Sequence, residues 1–185
     1  IEVLLAFREQ YPQHRLNADI PSKLIIAYED QQNWQAAAQE LKRIWKDAAD
    51  PEQQRIACYQ AAEYFDRAGD TANALDMYRY YAHNYPKPFD AAVEAHYQLD
   101  QIYARMNDED KRRFWLDKII TLHNRAGQEQ SDRSRYLAAS AAFQLAEFER
   151  GRYEKIAITL PLDKSITRKN NALQAAQRRY TQAVK

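Results

Sequence analysis

The sequence predicts an all-α protein built as an α-solenoid of antiparallel helix pairs, and three observations support this prediction. Only Gly69, Gly127 and Gly151 are available in 185 residues, which leaves too few positions of positive φ for a turn-rich β sandwich or barrel. Short segments with Gly, Asn, Asp or Pro interrupt the helical pattern at intervals of about 34 to 40 residues. Apolar residues at helical spacing lie on both sides of each interruption. A repeated unit of this length is typical of stacked helix pairs, because no single pair buries its own apolar face.

Four short polar segments are predicted to be the turns inside successive helix pairs. They are Gln32-Asn33-Trp34, Gly69-Asp70-Thr71, Asn107-Asp108-Glu109 and Gly151-Arg152-Tyr153. Gly and Asn accept the left-handed conformation that ends a helix, and an Asp in the next position can cap the following helix. We therefore expect Gly69 to have a positive φ, with Asp70 and Asp108 as caps.

These interruptions of the helical pattern predict helix pairs over residues 17–48, 51–84, 88–125 and 130–160. Residues 1–12 are predicted to be the last helix of a preceding repeat. Residues 163–185 are predicted to form a terminal helix after the Leu160-Pro161-Leu162 break, either as a cap or as the start of another repeat. The chain begins at Ile1 inside an apolar helical pattern, so residues 1–185 are expected to be a single solenoid segment of a larger protein.

Residues of the second and third units match the spacing of a known family. The matching positions are Gly69-Asp70, Ala74, Tyr78 and Pro86, and then Leu99, Tyr103, Asn107-Asp108 and Leu116. The chain resembles the tetratricopeptide repeat (TPR) family over about 150 residues, as roughly four degenerate repeats. The resemblance implies a right-handed superhelix with a concave groove lined by the first helix of each pair. Its departures are Asp100 and Arg112 where the family prefers a small residue, Thr71 in place of an aromatic residue, and Pro161 in the fourth unit.

The Asn84-Tyr85-Pro86 ending, followed by Ala91 to Tyr103, is most similar to TPR proteins of the Gram-negative envelope. This resemblance implies a periplasmic scaffold that binds a protein partner in a secretion, polysaccharide-export or outer-membrane assembly. A cytoplasmic regulator that binds a peptide in the groove remains the alternative. The single Cys58 does not identify the compartment.

The sequence predicts no enzyme, no cofactor and no metal site. Its three glycines cannot form a phosphate-binding loop or a dinucleotide fingerprint. The four histidines, at positions 14, 83, 96 and 123, are scattered without metal-binding spacing. Cys58 is the sole cysteine, which excludes an intramolecular disulfide, and its apolar neighbours favour a buried side chain. No apolar stretch approaches about 18 residues, so this segment is not expected to insert into a membrane.

Carrying the family's groove positions onto this chain gives a set of candidate partner-binding residues. They are Glu29, Asp30, Tyr59, Glu63, Arg67, Tyr97, Gln101 and Arg105, with Ser22 and Ile26 at the start of the groove. Tyrosines beside arginines are common at interface hot spots. In the competing interpretation, the tyrosines pack within the array and the arginines pair with Glu63 and Glu94. The chaperone-tail clamp of the family is excluded, because Ser22, Ile26, Tyr59 and Glu63 stand where it needs Lys and Asn.

Charge is unevenly distributed although the chain has a net charge of only +1. Residues 1–92 carry 10 Lys and Arg against 14 Asp and Glu, whereas residues 93–185 carry 17 against 12. Such polarity would orient an approaching partner or a neighbouring copy. Nucleic acid is not the expected partner, because the basic groups are interleaved with acids and the pI is about 8.0. An α-solenoid that binds single-stranded RNA remains an alternative function.

Overall fold

A computed structural model describes residues 1–183, and this part of the chain contains α-helices, two short 3₁₀ segments and no β-strand. The helices are α1 (Glu2–Gln10), α2 (Ile20–Asp30), α3 (Trp34–Asp47), α4 (Pro51–Arg67), α5 (Thr71–Asn84), α6 (Phe89–Arg105), α7 (Glu109–Arg125), α8 (Asp132–Lys155) and α9 (Leu162–Ala183). The 3₁₀ segments are Arg15–Ala18 and Gly127–Glu129. The prediction of an all-α protein is confirmed.

The chain divides into two compact units, Ile1–Pro86 and Lys87–Lys185. Within the first unit, α2 packs on α3, α3 on α4, and α4 on α5. Within the second unit, α6 packs on α7, α7 on α8, and α8 on α9. From α2 to α5 and from α6 to α9, each helix therefore packs against its neighbours in the sequence, as expected for stacked helix pairs.

Three of the four predicted turns lie where the sequence indicates. Gln32, Gly69 and Asn107 have positive φ values of 55°, 78° and 57°. The residue after each accepts a hydrogen bond at the start of the next helix, through Asn33, Asp70 and Asp108. The left-handed residue ends one helix and the side-chain cap begins the next, which is why these turns are so short.

The fourth predicted turn, at Gly151, is wrong, because Gly151 lies inside the 24-residue helix α8. Arg150 forms ion pairs with Glu147 on one side of the glycine and Glu154 on the other. The Lys169 ammonium of α9 also lies 4.8 Å from the centroid of the Tyr153 ring. These contacts connect the turns of α8 on both sides of Gly151 and hold them against α9.

Residues 130–160 are consequently not a helix pair. Their single long helix α8 packs against the terminal helix α9, which begins at Leu162, after the predicted Leu160-Pro161 break. The terminal helix is confirmed as far as Ala183. Residues 184 and 185 of the predicted range lie outside the described residues.

Cys58 lies in the apolar interior of the first unit, as the sequence predicts. Its side chain is fully buried, and its Sγ atom lies 3.6 Å from the carbonyl oxygen of Met77 on α5. Burial raises the pKa of the thiol to about 12. The thiol is therefore protonated at neutral pH and behaves as a small apolar side chain.

The second unit contains a buried ion pair at the two polar departures from the family pattern. Asp100 of α6 is fully buried, and its Oδ1 atom accepts a 3.0 Å hydrogen bond from Nε of Arg112 on α7. Gln101 donates to the other carboxylate oxygen at 3.0 Å. Arg112 also donates to the side-chain oxygen of Gln144 on α8. Each carboxylate oxygen of Asp100 thus accepts a hydrogen bond, and one network connects α6, α7 and α8.

None of the helices within residues 1–183 combines the length and apolar character needed to cross a bilayer.

Candidate partner-binding groove

The first unit has an open groove between α2 and α4, with a volume of about 300 Å³. Its lining residues are Ser22, Ile25, Ile26 and Glu29 of α2, Leu41 and Ile44 of α3, and Gln53, Ile56, Ala57 and Gln60 of α4. On each first helix these residues recur at intervals of three or four, so they form one stripe along the helix. The sequence-predicted positions Ser22, Ile26 and Glu29 all belong to this lining.

Two large apolar side chains in this groove are exposed. Ile26 is 59% exposed and Ile56 is 41% exposed. Each exposed branched side chain loses apolar contact with water when another apolar surface covers it. Gln53 and Gln60, on the same stripe of α4, offer amide donors and acceptors beside them. The groove can therefore hold an apolar side chain and hydrogen-bond the backbone that carries it.

An aromatic cluster connects α2, α3 and α4 at the Glu29 end of the groove. The Tyr64 hydroxyl donates a hydrogen bond to the Glu29 carboxylate. The Trp34 and Tyr64 rings meet edge to face, with centroids 5.4 Å apart. The Arg67 guanidinium lies 5.2 Å from the Trp34 centroid and 5.5 Å from the Tyr64 centroid. Such cation–π contacts hold the guanidinium in place.

The charges at this end influence Tyr64 directly. Burial, followed by the hydrogen bond to Glu29, raises the pKa of Tyr64 to about 12, and Arg67 and Glu63 act on it in opposite directions. The predicted residues Glu29, Glu63 and Arg67 are thus neighbours of a single phenol. Asp30 is the last residue of α2 and is exposed.

Tyr59 of the predicted set is not among the lining residues of this groove. Its ring packs edge-on against Tyr78 and Tyr81 of α5, at centroid distances of 5.8 and 5.1 Å. The side chain is half-buried. Tyr59 therefore helps to hold α4 against α5 within the first unit.

The predicted residues of the second unit also have neighbours within that unit. Tyr97 packs against the apolar core, and the Arg133 guanidinium of α8 lies 5.4 Å from its centroid. Arg133 also pairs with Glu94 at 3.0 Å. Gln101 donates to the buried Asp100. Arg105 is the exposed last residue of α6.

Sequence reasoning missed the α4 side of the groove and its aromatic end. A signal for the α4 side exists in the sequence, since Gln53, Ile56, Gln60, Glu63 and Arg67 recur at intervals of three or four residues. The contact between Tyr64 and Trp34 joins residues 30 positions apart on two helices, so no local pattern could indicate it.

Within residues 1–183, no group of three or more His, Cys, Asp and Glu side chains is arranged to hold a metal ion. Comparison with profiles of known families, with curated proteins and with solved structures finds no match.

Proposed function

We propose that this chain is a non-catalytic protein-interaction scaffold of the TPR type, a right-handed α-solenoid whose first unit binds a partner segment between α2 and α4. The observation that carries the proposal is the pair of exposed isoleucines, Ile26 and Ile56, inside an open groove. Apolar side chains grouped in a groove with polar neighbours are typical of interaction sites.

The dimensions of the groove suit a short segment. Ser22 and Glu29 are seven residues apart on α2, which corresponds to about 10 Å along a helix axis. That length accommodates two turns of a partner helix, or three to four residues of an extended chain. An apolar anchor of the partner would lie against Ile26 and Ile56, and its backbone would meet the amides of Gln53 and Gln60.

The cellular setting of the proposal is the periplasm of a Gram-negative bacterium, where the chain would serve a secretion, polysaccharide-export or outer-membrane assembly. The Asn84-Tyr85-Pro86 ending and its resemblance to envelope TPR proteins support this setting. Fractionation of cells that produce the full-length protein would distinguish the periplasm from the cytoplasmic alternative.

The groove is tested with the double variant Ile26→Ser and Ile56→Ser. We expect it to recover fewer protein partners from an envelope extract than the wild type does, because two apolar contacts are removed from the interface. Ile158→Ser is the matched control, since Ile158 is 56% exposed and is not among the groove residues. Equal recovery by wild type and by a double variant of unchanged helicity would refute the groove.

Binding by the second unit is a separate part of the proposal. Because Tyr97 packs on the core, Tyr97→Ala removes internal contacts as well as a surface ring, whereas Arg105→Ala alters an exposed side chain. A loss of partner with Arg105→Ala alone, at unchanged melting temperature, would support a role for this unit in recognition. Unchanged recovery would contradict a role of Arg105 in recognition.

A further inference from the structure

The second unit contains an open cavity of about 590 Å³ between α7 and α9, alongside α8. This volume is within the range of small-molecule sites, about 300 to 1,000 Å³. Ala138 and Ala142 of α8 present methyl groups to it. Arg135 of α8 and Arg179 of α9 are part of its lining. The cavity therefore combines an apolar surface with two guanidinium groups.

The corresponding place in the first unit is bridged by side chains. There, α3 and α5 flank α4, and the rings of Trp45 and Tyr80 meet with centroids 4.8 Å apart. Lys42 of α3 also donates to the side-chain oxygen of Asn73 on α5 at 2.7 Å. The cavity is thus not a general consequence of stacking helix pairs. In the second unit the small side chains of Ala138, Ala139 and Ala142 on α8 line the space between α7 and α9.

Both arginines are held by solvent-exposed ion pairs. Nη1 of Arg179 lies 3.4 Å from Oδ1 of Asp117, which is longer than the roughly 2.7 to 2.9 Å of a good charge-assisted bond. Arg135 pairs at 2.7 Å with Asp132, whose side chain is 98% exposed. Exposed pairs of this kind contribute little to stability. Either guanidinium can therefore turn to an incoming anion at small cost.

His123 also contributes to the lining, and it is neutral at physiological pH. Its Nδ1 atom lies 3.0 Å from the hydroxyl of Ser134. Burial, and then the nearby Arg135 charge, lower the pKa of its imidazole. Asp117 is the single carboxylate among the described lining residues, against two guanidiniums. The charge of the lining thus favours an anion.

We propose that this cavity binds a carboxylate ligand with a short aliphatic part. The carboxylate pairs with Arg135 and Arg179, and the aliphatic part lies against the methyl groups of Ala138 and Ala142. A free short-chain acid and the C-terminal carboxylate of a peptide share this chemistry. The site is independent of the groove between α2 and α4, so neither proposal depends on the other.

The test is an NMR titration of the whole chain with hexanoate, in which the alanine methyl groups and the His123 imidazole are observed. We expect saturable shifts with hexanoate and none with hexanol, the matched uncharged probe. Comparison of hexanoate with the dipeptide acetyl-Ala-Leu, which has a free C terminus, distinguishes the two sources of carboxylate. The same dipeptide with an amidated C terminus is its uncharged control. Equal shifts with hexanoate and hexanol, or the absence of saturable shifts with both hexanoate and the free dipeptide, would overturn the proposal.

The guanidinium role is tested with the double variant Arg135→Gln and Arg179→Gln. We expect at least roughly tenfold weaker binding of whichever probe binds the wild type, hexanoate or the free dipeptide, because two charged hydrogen-bond donors are lost. Arg178→Gln is the matched control, since Arg178 precedes Arg179 on α9 but is not part of the lining. If the double variant unfolds, Arg135→Gln alone changes an exposed side chain and must still weaken binding. Unchanged affinity in a folded variant would contradict the assignment.

Discussion

The helix pairs α4–α5 and α6–α7 have the same helix spacing but bury different side chains at two equivalent positions. The pairs begin 38 residues apart, at 51 and 89, and both first helices contain 17 residues. The second helices begin at 71 and 109, which is the same offset. In the first pair, Ala62 of α4 and Ala74 of α5 are fully buried. The equivalent residues in the second pair, 38 positions later, are Asp100 and Arg112.

The difference shows that one backbone arrangement can be stabilised in two ways. Alanines allow two helices to approach closely and leave no polar group to satisfy. The Asp100–Arg112 ion pair instead carries a desolvation cost, and it continues to Gln144 on a third helix. The pair of buried alanines in α4–α5 depends on close packing alone, whereas the ion pair in α6–α7 depends on a complete hydrogen-bond network.

The largest expected effect is that of Arg112→Ala. We expect it to destabilise the second unit by about 3 to 5 kcal/mol, because Asp100 would be left as a buried charge without its partner. Urea unfolding monitored by circular dichroism measures the change. A loss below about 1 kcal/mol would mean that water reaches Asp100 and that the pair is not structural.

The double variant Asp100→Ala and Arg112→Ala sharpens this comparison, because it places the alanines of the first pair in the second. Removing both charges removes the desolvation cost. We expect the double variant to be more stable than Arg112→Ala alone, although the cavity left by two large side chains keeps it below wild type. A double variant less stable than the single one would contradict the interpretation.

A smaller effect is expected at the turn between α4 and α5. Gly69 has a φ of 78°, and a β-branched residue is strained in this conformation. Gly69→Val should cost on the order of 1 to 2 kcal/mol. Thermal unfolding measures the loss, and Gly151→Val, at a helical glycine, is the control without left-handed strain. Equal losses in the two variants would show that φ is not the cause.

The cap Asp70 should contribute less. Asp70→Ala is expected to destabilise the first unit by about 1 kcal/mol, through loss of the hydrogen bond from the backbone of Asn73. Hydrogen bonds from Gln35 and Asn73 lower the pKa of the Asp70 carboxyl. Its contribution is therefore present above the unfolded pKa of about 3.9 and is lost as the pH falls through the folded value. If the difference between variant and wild type stays constant down to pH 2, the charged cap is not responsible.

The smallest effect is expected for Asn107→Gly, which gives the turn of the second pair the residue found in the first. Asn107 has a φ of 57°. Glycine removes strain there but adds freedom to the unfolded chain. We expect a change within about 0.5 kcal/mol in thermal unfolding. A larger loss would reveal a stabilising role of the Asn107 side chain.

Local chemistry accounts for most of what the sequence predicts correctly. Gly69 is followed by the cap Asp70, and Asn107 by the cap Asp108, so each turn is encoded in adjacent residues. Gly151 is followed by Arg152 and Tyr153, neither of which can cap a helix. The missing cap was the available signal that α8 continues through this glycine.

The site was less predictable, because its partners come from other helices. The spacing of Glu29 and Arg67 indicates that each belongs to a first helix, yet it does not reveal Tyr64 and Trp34 between them. The same holds for Tyr97, whose ring contacts the guanidinium of Arg133, 36 residues further along the chain. Periodicity specifies the face of a helix, whereas tertiary packing decides which side chains meet on that face.

The buried thiol of Cys58 has a consequence for measuring motion in the first unit. An alkylating reagent attacks the thiolate, and this thiol can ionise and meet reagent only when α4 separates from α5. As the chain has one cysteine, every modification event reports an opening at that single place. The labelling rate relative to that of a free thiol then gives the free energy of local opening, as amide exchange does for backbone groups. Cys58 is thus a native probe of local opening in the first unit, and no dye or engineered residue is needed for the measurement.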